Sequence, residues 1–244
     1  ALLTYRNKIG ESIDLSTSLG GNLRNNKYRS INSYVEGLVI PGEFKLANGI
    51  NNPVSTSFYS ERQVNSLYGL MSFSYQNIIF VDVTGRNDWS STLPVQNNSF
   101  FYPSISSSFV LTDIVSLPKF ISFAKLRLSA AQVGNDTEPY RTRKYYGRSN
   151  FAGSGSVPTT LHNVNFKPEI TSSYEAGLEY ILFNRRFGMD LTFYRTFTKN
   201  QILDVPLDPT TGYARAILNA GEVKNQGIEL VVNGKPIDGA FKWN

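Results

Sequence analysis

The chain has 244 residues, of which 41% are hydrophobic, 13% aromatic and 18% charged, and its formal net charge is +5. It has no cysteine, which excludes disulfides, thiolate metal sites and cysteine nucleophiles together. No run of about 18 apolar residues occurs, which excludes a helical membrane protein, and the positive charge lacks the clustering that nucleic-acid binding requires.

Strand-forming segments separated by turn residues predict an all-β protein with about ten strands. We expect a piece of one larger barrel domain, because neither terminus completes the pattern and no signal peptide or plug domain is visible. In chain order the predicted strands are Ala1 to Tyr5, Glu11 to Leu23, Glu61 to Tyr75, Ile78 to Trp89, Tyr102 to Thr112, Ser122 to Gly134, Ser172 to Leu182, Arg186 to Lys199, Gln226 to Asn233 and Gly239 to Asn244.

In the hairpin from Val64 to Trp89, apolar residues recur at odd positions, and polar and charged residues recur at even positions. Because side chains alternate between the two faces of a strand, this predicts one wholly apolar face and one polar, charged face. Such a pair of faces is typical of a barrel wall with lipid outside and water inside. The odd set is Leu67, Gly69, Met71, Phe73, Tyr75, Ile79, Val81 and Val83, and the even set is Ser66, Ser72, Ser74, Asp82, Thr84, Arg86 and Asp88.

The same separation recurs in later strands, for example with Leu191 facing away from Asp190 and Leu230 facing away from Glu229. A charge facing lipid costs about 2–4 kcal/mol at the middle of the bilayer, so the strand register is strongly specified. Arg195 alone breaks the pattern of its strand, and we interpret it as reaching outer-leaflet phosphate.

Connection lengths alternate between tight and long along the whole chain, as required when short periplasmic turns lie at one end of a barrel and long extracellular loops at the other. A soluble sandwich has no such requirement. The tight links are 7–10, 76–77, 113–121, 183–185 and 234–238, and the long ones are Arg24 to Ser60, Ser90 to Phe100, Asn135 to Thr171 and Asn200 to Asn225.

Six strings in order between Gly85 and Leu230 resemble the SusC/RagA class of TonB-dependent outer-membrane transporters, and LVIPGEFKLAN from Leu38 is a weaker seventh. The resemblance implies a large outer-membrane barrel that is filled by its own plug domain, energised through TonB and capped by a SusD-like lipoprotein. It implies import of oligosaccharides or peptides. The strings are GRNDWSSTLP with SFFYPSISSSFVL, KLRLSAAQVGND, FKPEITSSYEAGLE, KNQILDVPL, GY at Gly212 and Tyr213, and NAGEVKNQGIEL.

The alternation of side chains along each strand predicts which residues lie on each side of this barrel wall. Trp89 and Phe101 face outward where strands meet long loops, which predicts an aromatic girdle at the membrane interface. The charges expected to face the lumen pair with one another or with the plug, or contact substrate, and pairing is the favoured alternative. They are Asp82, Arg86, Asp88, Arg127, Glu175, Glu179, Asp190 and Glu229.

The long loops contain the candidate substrate-binding residues, which combine flat aromatic faces with amide groups suited to sugars or peptides. Packing against other loops or against the lipoprotein is an equally good interpretation. The candidates are Tyr145, Tyr146, Asn150, Tyr213 and Asn219.

Enzymatic activity is disfavoured. His162 is the only histidine, no acidic residue lies within five positions of it, and the GSGS string at 153–156 lacks the strand-to-helix context of a nucleophile elbow. No spacing of histidine or carboxylate residues predicts a metal site, and no cofactor is expected. The alternatives to a transporter are an outer-membrane barrel hydrolase and a soluble adhesive β-sandwich, which requires a partly polar outward face.

Overall fold

Nine antiparallel strands follow one another through a single open sheet in the computed structural model, which describes residues 1–148, 153–235, 237–238 and 242–243. Each strand pairs with the next long strand along the chain, in the order β1 (Leu2–Ile9), β2 (Ile13–Tyr34), β3 (Val54–Tyr75), β4 (Ile79–Ser90), β5 (Ser99–Val110), β6 (Ile121–Asn135), β10 (Glu169–Leu182), β11 (Phe187–Lys199) and β14 (Val223–Gly234). This order confirms the predicted all-β, antiparallel barrel wall, with β1 and β14 at the edges of the described sheet.

The helices among the described residues are short and lie in the connections between strands; they are α1 (Leu111–Ile114) and three 3-10 helices at Leu46–Asn48, Val95–Asn97 and Pro209–Thr211. The strands are β1 (Leu2–Ile9), β2 (Ile13–Tyr34), β3 (Val54–Tyr75), β4 (Ile79–Ser90), β5 (Ser99–Val110), β6 (Ile121–Asn135), β7 (Gly147–Arg148), β8 (Gly155–Ser156), β9 (Thr160–Leu161), β10 (Glu169–Leu182), β11 (Phe187–Lys199), β12 (Ile202–Pro206), β13 (Arg215–Asn219), β14 (Val223–Gly234), β15 (Ile237–Asp238) and β16 (Lys242–Trp243).

The expected long loop from Arg24 to Ser60 is mostly wrong, because β2 and β3 remain paired as far as Tyr34 and Val54. The polar composition of these residues hid the extension from the sequence analysis. Polar side-chain pairs connect the two strands there, together with the ring contact between Tyr28 and Phe58. The Ser33 and Ser55 hydroxyls lie 2.7 Å apart. Since β4 ends opposite Val64, this ribbon projects about 33 Å beyond the neighbouring strand, at about 3.3 Å per residue.

Several other strands begin or end a few residues away from their predicted positions. The first strand continues to Ile9, β5 begins at Ser99 rather than Tyr102, and the long loop after Lys199 contains the hairpin β12–β13. The predicted strand from Gly239 to Asn244 lies largely outside the described residues, which contain only the pair Lys242–Trp243 there.

The connections alternate between the two ends of the sheet, but their lengths do not all follow the prediction, because the link 111–120 is longer than the loop 91–98. The turn after β3 has Gln76 and Asn77 at φ values of 50° and 56°, the left-handed geometry that two-residue hairpins require. It lies at the same end of the sheet as the links 10–12, 111–120 and 183–186, whereas the segments 35–53, 91–98, 136–168 and 200–222 lie at the other end. We call these the turn end and the loop end.

The apolar face of the sheet is open to its surroundings. Leu191 is 39% exposed and Leu230, directly opposite it, 59% exposed, while Phe73 and Val81 are partly exposed. These four side chains share no dry interior, so the sandwich alternative is wrong. No helix among the described residues is long and apolar enough to cross a membrane.

The polar face is less uniform than the residue alternation indicated. Tyr68, Leu70 and Phe80 share it with the charged residues, because their even positions place them there. Tyr68 has a clear physical role, since its ring lies 5.8 Å from the guanidinium carbon of Arg86.

A small buried core lies at the loop end, where the loops fold back onto the sheet. Phe166 is fully buried and Leu93, Phe100 and Ile217 nearly so, with Tyr102 and Ile202 packed against them. These residues come from four separate parts of the chain, so this cluster joins the loops to one another and to β5.

Candidate functional site

Arg127 on β6 is the centre of an ion cluster on the polar face. Its Nη2 atom donates to both carboxylate oxygens of Asp190, at 2.7 and 2.9 Å, and Nη1 donates to Glu179 at 3.4 Å. Asp190 lies two strands away, and the intervening strand carries Gly177 opposite Arg127. A Cβ atom at position 177 would lie 2.8 Å from Nη2, so the glycine leaves the space through which the arginine reaches across β10.

Arg86 is the centre of a second cluster nearer the loop end. Its Nε atom donates to Asp88 at 2.7 Å and its Nη2 atom to the Ser66 hydroxyl at 2.9 Å. The Tyr102 hydroxyl donates to Asp88 at 2.8 Å, and the Tyr68 and Tyr102 rings flank the guanidinium. Asp88 is buried and fully partnered, which satisfies the requirement that buried charges be paired.

The remaining predicted lumen charges, Asp82, Glu175 and Glu229, are exposed on the same face and make no ion pair with any described residue. Asp82, Arg127 and Glu175 border one hollow of about 310 Å³. The polar face therefore combines paired charges with free carboxylates. Its assignment to a lumen remains a prediction.

A third cluster, which the sequence analysis did not select, surrounds the buried carboxylate of Asp136. The carboxylate accepts hydrogen bonds from Arg62 and from the Ser90 and Thr92 hydroxyls. Asp136 ends one of the family-like strings, but only the folded chain shows that it connects β3, the loop after β4 and the long loop after β6.

Tyr145 lies against Tyr140 in an edge-to-face arrangement with ring centroids 6.1 Å apart. Both rings border a cavity of about 490 Å³ between the 91–98 loop and the 140–145 segment. Gln96 and Arg143 also line this cavity, which we call the Arg143 cavity.

Tyr146 and Tyr213 meet elsewhere, around Lys144. The ammonium group donates to the Tyr213 hydroxyl at 2.9 Å and lies 5.5 and 5.1 Å from the Tyr146 and Tyr213 ring centroids. The hydrogen bond to Tyr213 raises the pKa of Lys144. The candidate tyrosines therefore form two separate groups.

Asn219 connects three segments of backbone. Its amide nitrogen donates to the carbonyls of Lys167 and Asn200, each at 2.9 Å, and its oxygen accepts from the Lys167 N–H at 2.9 Å. Both amide hydrogens are thus used within the fold. Asn150, the other candidate amide, lies outside the described residues. Their roles in substrate binding remain predictions.

The outward face near the loop end carries aromatic and basic residues. Trp89 is 41% and Phe101 61% exposed, as a girdle at the membrane interface requires. The guanidinium of Arg195 lies 4.5 Å from the Phe197 ring centroid and the ammonium of Lys224 5.7 Å from it. Because Phe197 is two residues nearer the loop end, Arg195 leans toward the expected headgroup region.

His162 is partly buried in a loop, and its Nδ1 atom has no hydrogen-bond partner among the described residues. No group of three or more histidine, aspartate or glutamate residues in the described ranges has the arrangement of a metal site.

An antiparallel sheet with an exposed apolar face, a charged opposite face and alternating turn and loop ends defines the wall of an outer-membrane-type β-barrel. The family model described as TonB dependent receptor-like, beta-barrel matches residues 2–244. The chain therefore belongs to this family, whose proteins reside in the outer membrane.

Curated relatives support the SusC/RagA resemblance. A TonB-dependent receptor of Formosa agariphila is 28% identical over 247 residues, covering 95% of this chain and 24% of the relative. SusC of Bacteroides thetaiotaomicron is 27% identical over 205 residues, covering 78% of this chain and 20% of SusC. The chain thus spans about a quarter or less of the length of these relatives.

Solved structures show the same fold. The RagAB peptide importer in its closed-closed state superposes with a TM-score of 0.86 at 21% identity, covering 98% of this chain and 27% of that one. The siderophore receptor PirA of Pseudomonas aeruginosa superposes with a TM-score of 0.56 at 16% identity, covering 93% of this chain and 37% of that one.

Proposed function

We propose that residues 1–244 belong to the barrel domain of a transporter that imports an oligosaccharide or a peptide across the outer membrane in a TonB-dependent manner. The observation that carries this proposal is the continuous apolar face, from Leu67 on β3 to Leu230 on β14, left open beside a face of paired and free charges. The apolar face is stable in contact with the hydrocarbon of a bilayer, and the charged face is stable in contact with water.

The proposed partners are the protein's own plug domain, TonB, a SusD-like surface lipoprotein and outer-membrane lipid. Support for a lipoprotein comes from the likeness to SusC and to RagAB, together with the ribbon of β2 and β3 that projects at the loop end. Its exposed aromatic residues, Tyr28 and Phe58, offer a surface on which a capping protein can pack.

We propose that the protein is not an enzyme. The relatives are named as receptors, and His162, the single histidine, has no carboxylate bonded to it among the described residues. A hydrolase built on a histidine needs that residue beside a nucleophile or an orienting acid. Replacing His162 with alanine is therefore expected to leave uptake unchanged.

Deletion of the full-length gene tests the proposal. The deletion strain is expected to lose growth on one class of glycan or peptide as sole nutrient, and to lose uptake of the labelled compound, with both restored by the gene in trans. The His162→Ala gene should restore both as well. Normal growth and uptake of the deletion strain on all glycans and peptides supplied would contradict the proposal, as would extracellular cleavage that depends on His162.

A further inference from the structure

The Arg143 cavity has an unusual charge environment. Among the described residues, Arg143 alone brings a charge to its lining, and the other lining groups include the rings of Tyr140 and Tyr145 and the polar side chains of Gln96 and Thr142. Arg143 is exposed and makes no hydrogen bond or ion pair with any residue in the described part of the chain. A guanidinium in such a position is available for a ligand.

The carboxylates near this segment are already used. Glu138 pairs with Arg141 at 2.6 Å, and Asp136 is held by Arg62 and two hydroxyls. Arg141 is also engaged on its other side by Asp204 at 3.3 Å. The segment from Asn135 to Arg148 contains no further acidic residue, and no carboxylate in the described part of the chain pairs with Arg143.

The backbone of the lining favours a sugar over a peptide that binds as an added strand. Adding a strand to a free sheet edge is one recurring way in which proteins bind extended peptides. The lining residues, however, lie in turns, in the 3-10 helix Val95–Asn97 and in irregular backbone, and none lies in a strand. Tyrosine rings and side-chain amide and hydroxyl groups instead suit the apolar faces and hydroxyl groups of sugar rings.

We propose that this cavity recognises an anionic oligosaccharide, with Arg143 binding a uronate carboxylate or a sulfate group while Tyr140 and Tyr145 contact the sugar rings. The inference rests on the proposed transport function and names the substrate class for it. A planar guanidinium binds carboxylate and sulfate oxygens in pairs, which gives geometric selection as well as attraction.

The test uses the purified full-length transporter and titration calorimetry with four probes: oligogalacturonate, its methyl ester, a sulfated chondroitin oligosaccharide and a polyglutamate peptide. The ester keeps the sugar chain and removes the charge. One of the two anionic sugars is expected to bind at least 10-fold more tightly than the ester and the peptide. Its affinity should fall as salt is added.

Variants then assign the binding to the cavity. Arg143→Gln should lower the affinity for the anionic sugar by about 10- to 100-fold, because a charge-assisted hydrogen bond is lost. Arg143→Lys should give an intermediate loss, since it keeps the charge without the planar fork. Lys119→Ala is the control. It removes an exposed cation at the turn end of the sheet and should leave the affinity for the anionic sugar unchanged.

Three outcomes would overturn the inference: no binding of either anionic sugar, tighter binding of the ester or the peptide, or anionic binding that Arg143→Gln leaves intact. Uptake assays separate this failure from failure of the transport proposal. A strain that imports a neutral glycan or a peptide normally with Arg143→Gln refutes the inference while leaving transport standing.

Discussion

Leu191→Arg is the sharpest test of the lipid-facing assignment. Leu191 lies on the apolar face of β11, between Leu178 on β10 and Leu230 on β14. It is four residues beyond Phe187, where β11 begins at the turn end. At about 3.3 Å per residue and a tilt near 40°, Leu191 lies about 10 Å deeper than Phe187 in an apolar band about 25 Å tall.

An arginine near the middle of the band costs about 2–4 kcal/mol, whereas one at the interface costs about 0–1 kcal/mol. We therefore expect Leu191→Arg to lower the free energy of unfolding by about 2–4 kcal/mol and Phe187→Arg by less than about 1 kcal/mol. Reversible urea unfolding of the full-length protein in lipid vesicles measures both values.

Val231→Arg provides the matched control on the opposite face. Val231 lies beside Leu230 on β14, is 57% exposed and pairs with Asp190. An arginine there meets water and a carboxylate, so stability should change by less than about 0.5 kcal/mol. Equal losses for Leu191→Arg and Val231→Arg, or equal losses at 187 and 191, would refute the assignment of lipid to the apolar face.

Three further changes test contacts inside the fold. Arg127→Met should destabilise the protein by about 1 kcal/mol in urea unfolding, because it leaves Asp190 without its cation in a partly exposed cluster. Gly134→Ala should cost about 1–3 kcal/mol, because the new Cβ would lie 2.3 Å from the Phe100 ring. Asn219→Ala should speed proteolysis of the 136–168 loop several-fold, since three backbone hydrogen bonds are lost.

Each of these changes has its own control. Arg127→Lys keeps the charge and should recover part of the stability. Gly21→Ala places its Cβ at an ordinary 3.5 Å from the nearest atom and should cost less than Gly134→Ala. Unchanged protease sensitivity in Asn219→Ala would show that Asn219 does not hold the loops together.

The strand faces could be predicted because they depend on alternation within a single strand. Leu191 and Asp190 lie on opposite faces whatever their neighbours are, and the pairing of Leu191 with Leu230 then follows from matching apolar positions across strands. The turn at Gln76 and Asn77 could be predicted for a similar reason, because two residues that tolerate positive φ suffice to form it.

The grouping of the candidate ligand residues could not be predicted, because residue type does not determine which loops meet. Tyr145 and Tyr146 are adjacent in the sequence, yet one lines the Arg143 cavity and the other packs around Lys144. The ribbon beyond Arg24 was missed since its polar residues lack apolar alternation, and its pairing depends on continuing the register of β2 and β3.

The sequence by itself determined which side of each strand is apolar and which end of the sheet carries the loops, because both depend on local alternation and spacing. Only the tertiary structure decided how Arg127 reaches Asp190 past Gly177 and how Asp136 joins three segments. These contacts join residues at least 40 positions apart, and their geometry exists only once strand register and loop packing place the atoms within hydrogen-bond distance.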